Sequence, residues 1–194
     1  MRRIRQWLRY AIVIALLVVI GAVAYVKFGE PSPEVLIRTR AINAAQRAML
    51  DSDWQKALSL IEQALTEIKK PDWELLTWDA VLLEKSKQPA DRVLNQALEA
   101  GDYENVWITY GMVANLVDES SLTLKAGQAL VDHNAESVQG SYLIAQAYDT
   151  QKQFDKALQY YDLTLKKIDQ AGGNEGLYVA IRQRVVQINL LLMK

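Results

Sequence analysis

The sequence predicts an all-α protein: one apolar helix near the N-terminus, then an array of paired helices closed by a last helix. Three observations lead there. Leu, Ile, Val and Ala dominate a composition with only 9 Gly and 4 Pro, which favours helices over sheet or disorder. Helical apolar periodicity fills the chain beyond its first thirty residues, cut at short intervals by turn-forming stretches. Small residues recur beside aromatic ones at intervals of 33 or so residues, the mark of a stacked repeat.

The N-terminal element comes first. "RRIRQWLRYAIVIALLVVIGAVAYVKFGEPSPE" opens on Arg2, Arg3, Arg5 and Arg9, then runs uncharged from Tyr10 to Val26. Seventeen helical residues span about 25 Å, near the lower limit for crossing a bilayer. Trp7, Tyr10, Tyr25 and Phe28 sit near its ends, where aromatic rings settle at the lipid–water boundary. Four arginines before the run against Lys27 after it orient the N-terminus toward the cytoplasm. The expected organisation is a basic cytoplasmic segment (1–9), a signal-anchor helix (10–28) and a linker (29–35) stiffened by Pro31 and Pro33. A cleavable signal peptide is the competing reading, since "AVA" at 22–24 fits a small-x-small cleavage site after Ala24.

The remaining elements follow from the turns. Stretches at 51–53 (DSD), 69–72 (KKPD), 87–89 (KQP), 100–102 (AGD), 118–121 (DESS), 132–136 (DHNAE), 150–153 (TQKQ) and 171–174 (AGGN) divide the rest into nine helices. Asp53, Asp72, Asp102 and Ser121 are placed to cap helix N-termini.

The pairing is read from spacing. In "SYLIAQAYDTQKQFDKALQYYDLTL", Ala145, Tyr148, Phe154, Ala157, Tyr161 and Leu165 give a small residue, an aromatic, a turn, an aromatic, an alanine and an aromatic. Antiparallel helices approach closely only where small residues sit at the crossing and large ones fill either side. The pattern recurs through Ala45, Ala48, Trp54, Ala57, Ile61, Ala64 and Leu65. It recurs again through Val81, Ala90, Leu94, Ala97 and Leu98, with Trp78 where a small residue is expected. Trp107, Tyr110, Gly111 and Ala114 start a further copy, whose second helix fits through Leu122, Ala126 and Ala129 after a one-residue deletion.

This pattern resembles the tetratricopeptide repeat. The resemblance covers residues 36–171 and implies a right-handed α-solenoid of about four helix pairs, with 172–194 as a capping helix. In that family the first helix of each pair lines a concave wall that grips a peptide or a partner helix. Carried across position by position, the groove residues are Thr39, Ile42, Gln46 and Met49 in the first copy. In the fourth they are Gln139, Tyr142, Gln146 and Asp149. The basic clamp that chaperone-binding members use for acidic C-termini is absent from these positions. In the last helix Leu177, Tyr178, Ile181, Val185, Ile188 and Leu192 make an apolar stripe, and "INLLLM" is apolar on more than one side. It either caps the array or docks onto a partner or a second copy.

Chemistry is conspicuous by what is missing. Without cysteine there is no disulfide framework, thiolate site or Cys nucleophile. One histidine, His133, leaves no partner for a multi-His metal site. No phosphate loop, nucleophile elbow or zincin motif occurs, and "AGGNEG" reads as a helix end and turn. Residues 1–28 hold five basic residues and no acidic one, so the body carries 17 basic against 23 acidic, which disfavours nucleic acid. Most aromatics fall on repeat-core positions, while Trp73 and Trp78 lie on different faces of one helix, leaving one of them as a candidate exposed aromatic.

The expectation is therefore a non-enzymatic protein with no cofactor, no metal and no small-molecule substrate. It would span the inner membrane once and hold its repeats outside the cytoplasm as a scaffold recruiting protein partners in or near the membrane. The alternative is a structural accessory subunit of a large membrane complex, held through its transmembrane and C-terminal helices.

Overall fold

A computed structural model describes residues 31–193. The chain divides into two compact units, 1–39 and 40–194. Of the first, the described part is the opening of helix α1. The segments read as cytoplasmic (1–9) and membrane-spanning (10–28) lie outside the described residues. Among the described residues no helix is long and apolar enough to cross a membrane.

Nine helices and no strand are present among the described residues: α1 Pro33–Leu50, α2 Trp54–Glu67, α3 Trp73–Lys85, α4 Asp91–Ala100, α5 Tyr103–Leu116, α6 Ser120–His133, α7 Val138–Thr150, α8 Phe154–Ala171 and α9 Glu175–Leu192. Helix α1 begins inside the segment read as linker. Ser32 and Pro33 explain this: the Ser32 hydroxyl takes the Val35 N–H at 3.4 Å, and proline suits a first helical position. Asp53, Asp72 and Asp102 cap α2, α3 and α5 as expected, each accepting backbone N–H groups. Ser121 does not cap α6. Glu119 occupies the cap position instead, its carbonyl taking the Leu122 and Thr123 N–H groups at 3.0 Å. Its carboxylate is held by Lys85 at 2.8 Å. Ser137, an unexpected cap, serves α7 through the Gly140 N–H.

The repeat is written most plainly in the turns. Ser52, Lys87, Asp118 and Lys152 adopt φ of 56–58°, and each ends a first helix with the same pair of hydrogen bonds. At Lys152, its own N–H reaches the Asp149 carbonyl and the Gln153 N–H reaches the Tyr148 carbonyl, both at 2.9 Å. The other three turns repeat that pairing. This is the Schellman closure, which satisfies carbonyls a helix end would otherwise leave open. The four left-handed residues fall at intervals of 35, 31 and 34 residues.

Counting from these residues corrects the register of the irregular copies. In copy two the small residue of the first helix is Ala80, seven before Lys87, and both Ala80 and Trp78 are buried. Its second helix starts at Asp91, four residues after Lys87 where the other copies start two after theirs, and Ala90, Leu94 and Ala97 are the residues it buries. In copy three no residue is deleted from the turn. Thr123, Gly127 and Leu130 take the places of Ala157, Tyr161 and Thr164, and all are buried. Leu122 and Ala129 are only half-buried.

Helix α3 packs against α2, α4 and α5, which is why nine consecutive residues, Leu75 to Leu83, are buried. A close crossing joins α6 to α7. A methyl group on Gly127 would lie 2.9 Å from the Gly140 carbonyl oxygen, so the two backbones meet there without side chains between them. Lys167 of α8 is buried and donates to the Ala135 and Ser137 carbonyls, tying down the loop between these helices.

Candidate functional site

The first helices α3, α5 and α7 lie side by side, and polar contacts step from each to the next. Glu84, Asn115 and Asp149 each sit three residues before a left-handed turn residue. Glu84 accepts the Tyr110 hydroxyl at 2.6 Å and the Lys125 ammonium at 3.0 Å. Asn115 donates its amide to Gln146 at 2.9 Å. Asp149 receives the Arg184 guanidinium of α9 in a two-pronged pair, 2.7 and 2.8 Å, together with the Tyr161 hydroxyl at 3.0 Å. Helix α9 thus extends the row of first helices, with Arg184 standing to Asp149 as Gln146 stands to Asn115.

Two adjoining cavities open along this wall. One, of about 510 Å³, is bordered by Ile108, Met112 and Leu116 of α5, by Gln139 and Tyr142 of α7, and by Leu177 of α9. The other, of about 360 Å³, lies between Tyr142, Gln146, Asp149, Tyr161 and Arg184. The expected fourth-copy residues Gln139, Tyr142, Gln146 and Asp149 therefore share one surface. The polar groups of Tyr142, Gln146 and Asp149 are already engaged. Gln146 accepts from Asn115 and donates to the Tyr142 hydroxyl at 3.0 Å, and Asp149 is committed to Arg184. Burial, reinforced by the Asp149 charge, raises the Tyr142 pKa and keeps that hydroxyl neutral.

The first-copy residues are distributed differently. Thr39 and Gln46 are exposed and Ile42 is half-buried on α1. Met49 is buried, so it serves the core. None of them borders the two cavities.

Sequence reasoning missed the apolar side of the wall. Met112 and Leu116 are 59% and 53% exposed, and with Ile108 they form an i, i+4, i+8 row. The signal was available. Shifting Gln139, Tyr142, Gln146 and Asp149 back by one repeat gives Asn105, Ile108, Met112 and Asn115. The free aromatic expected at Trp73 or Trp78 does not exist. Trp78 is buried, and the Trp73 ring lies where a Gly101 side chain would have to go. His133 ends α6 with its ring 4.5 Å from that of Tyr103, a local packing role. Among the described residues no group of His, Cys, Asp or Glu could hold a metal ion. The wall offers an apolar row and neutral carboxamides, and its Glu84–Lys125 and Asp149–Arg184 ion pairs are closed internally. Such a surface suits apolar side chains.

By its own geometry the chain is an all-helical protein of stacked helix pairs. No family model matches it, and no curated protein does. Among solved structures it is similar to MamA 41-end from Desulfovibrio magneticus RS-1, 19% identical with a TM-score of 0.45 over 84% of this chain and 86% of that one. It is also similar to the MamA RS-1 ArsTM double mutant, at 16% identity and a TM-score of 0.41 over 84% and 98%. A crystal structure of MamA gives 16% and 0.38 over 74% and 91%.

Proposed function

We propose that this chain is a membrane-anchored protein–protein interaction scaffold of the tetratricopeptide type, with residues 10–28 as anchor and the repeats on the extracytoplasmic side of the inner membrane. There it recruits or assembles components of an envelope membrane complex and performs no chemistry of its own. The observation that carries the reading is the row Ile108, Met112 and Leu116. It is apolar, open to solvent and flanked by Tyr142 and Leu177 on neighbouring first helices. Exposed apolar rows of this kind mark partner surfaces, and methionine adapts its shape to the ligand. The occupant is a protein segment laying apolar side chains along α5, with Gln139 and Asn174 at the rim.

The test is affinity capture from detergent-solubilised membranes with the wild-type chain and with Met112→Glu plus Leu116→Glu. Both residues are exposed, so the double variant keeps its helical circular dichroism. Loss of a specific co-purifying protein supports the wall as the binding surface. An unchanged set of partners removes it. Protease added to intact spheroplasts tests the topology: a protected repeat domain overturns the extracytoplasmic placement. The alternative, an accessory subunit held through its transmembrane and C-terminal helices, is favoured by the exposed face of α9.

A further inference from the structure

Helix α9 is joined to the array more loosely than its length suggests. Of its 18 residues Ile181 and Ile188 alone are buried, whereas α8, equally long, buries Ala157, Tyr161, Thr164, Leu165, Lys167 and Ile168. The chain between the two helices is Gly172, Gly173 and Asn174, all at positive φ, 66°, 128° and 61°. Glycine takes either sign of φ about as readily. A methyl group on Gly172 or Gly173 would meet nothing within 4 Å, so no neighbour packs against this joint. Its backbone bonds do not bridge it. The Gly172 N–H closes α8 on the Ile168 carbonyl at 3.0 Å, and the Asn174 carbonyl takes the Tyr178 N–H of α9 at 3.1 Å. Asn174 gives α9 no side-chain cap. Against the joint lies an open cavity of about 380 Å³, between Ile168 and Asp169 of α8 and Tyr178 and Val179 of α9.

The fastening at the middle of α9 is charged rather than apolar. Arg184 grips Asp149 of α7 with two donors, at 2.7 and 2.8 Å. The Asp149 side chain is 9% exposed and that of Arg184 40%, so water already reaches one end of the pair and replaces it on opening. Asp149 is then rewetted and keeps the Tyr161 hydroxyl at 3.0 Å. Helix α9 also forms one side of both wall cavities. It gives Asn174 and Leu177 to the larger, and Ala180, Ile181 and Arg184 to the smaller. We propose that α9 is a hinged latch: it undocks as one unit about residues 172–174, and its closure, fastened by Arg184 on Asp149, completes the partner groove. With the latch open, Tyr142 and Tyr161 lose their cover and the larger cavity becomes a shallow face on α5 and α7. A segment lying along Met112 and Leu116 meets Leu177 only when the latch is shut, so closure and binding favour each other. That coupling rests on the chain's being a scaffold; the hinge does not.

The chain has no cysteine of its own, so spin labels go onto Gln159→Cys of α8 and Asn189→Cys of α9, both exposed positions. Pulsed electron paramagnetic resonance measures the distance between them in the full chain, held in mild detergent. The otherwise wild-type chain should give one short distance. Arg184→Gln should add a longer one, the opening constant rising at least tenfold with the loss of a charged, two-pronged pair. Asp149→Asn keeps the side chain's shape and should do the same, and the two substitutions together should open the latch no further than either alone. The latch is overturned if both variants keep the short distance. Additive effects overturn the Arg184–Asp149 pair as its fastening. Capture from membranes reads the coupling: the protein lost by Met112→Glu plus Leu116→Glu should also fall about tenfold with Arg184→Gln. Undiminished capture by that open form overturns α9 as a side of the groove, and stronger capture makes it a barrier instead. If the Met112 and Leu116 variant loses no protein, the scaffold reading fails while the label distances still decide the latch.

Discussion

Gly127→Ala separates tertiary packing from helix propensity, because the two demand opposite signs. Gly127 lies inside α6, where replacing glycine by alanine should stabilise a helix by about 1 kcal/mol. At this crossing the new methyl group would sit 2.7 Å from Ile144 Cγ1, 2.9 Å from the Gly140 carbonyl oxygen and 2.9 Å from the Ile144 amide nitrogen. Two of those three atoms are backbone, so relief requires moving α7 bodily rather than turning a side chain. Overpacking of this kind costs typically 1–3 kcal/mol, and more where backbone must move. The expected net is a loss of about 1–2 kcal/mol, or a fall in Tm of roughly 2–8 °C for a domain of this size. The control is Gly176→Ala near the start of α9, where nothing lies within 4 Å of the added methyl; it should gain up to about 1 kcal/mol. Urea and thermal unfolding followed by circular dichroism give both values. If Gly127→Ala is as stable as wild type or more so, the close α6–α7 approach is wrong, and with it the register assigned to copy three.

The remaining expectations can be measured in the same unfolding assay. Asp79 is buried in α3, its Oδ1 lacks a hydrogen-bond partner, and its pKa is pushed up to about 6 by burial and then by Glu62. The folded value lies above the ordinary 3.8, so the native state holds this proton more tightly than the unfolded chain. That stability is full below pH 3.8 and is lost as pH rises through about 6. Asp79→Asn should therefore stabilise the fold at pH 7.5, by up to about 3 kcal/mol, and by about half as much at pH 5; equal effects at both pH values would refute the assignment. Arg184→Ala leaves Asp149 with only the Tyr161 hydroxyl and should cost about 1–3 kcal/mol, with faster amide exchange confined to α9. Exchange that stays protected there would dismiss Arg184 as the tie. Lys152→Gly relieves a left-handed non-glycine residue, φ 58°, and should gain about 0.5–1 kcal/mol; a loss would mean the lysine side chain contributes something else.

Much of the fold is local and so can be read along the chain. Caps such as Asp53, Asp72 and Asp102 act within three residues, and the apolar period of a helix is a property of its own segment. The residues that line the wall follow from the same counting, once each copy is aligned on its turn. The alignment itself was harder, because Ala126 and Gly127 are both small and buried, and spacing cannot say which of them meets the next helix. Only the approach of Gly127 to Gly140 decides that.

The sequence by itself determined that this protein is a row of short amphipathic helices stepped at intervals near 34 residues, since period, punctuation and capping are all short-range. Tertiary structure decided which residues remain available to a partner. Asp149 looks free until Arg184, thirty-five residues on, closes over it. Asp79 looks solvated until α3 is packed against three neighbouring helices. Leu192 shares an apolar stripe with Ile181 and Ile188, yet α9 buries the isoleucines and leaves the leucine exposed. Availability is set by what stands opposite a side chain, and that neighbour comes from a different turn of the array.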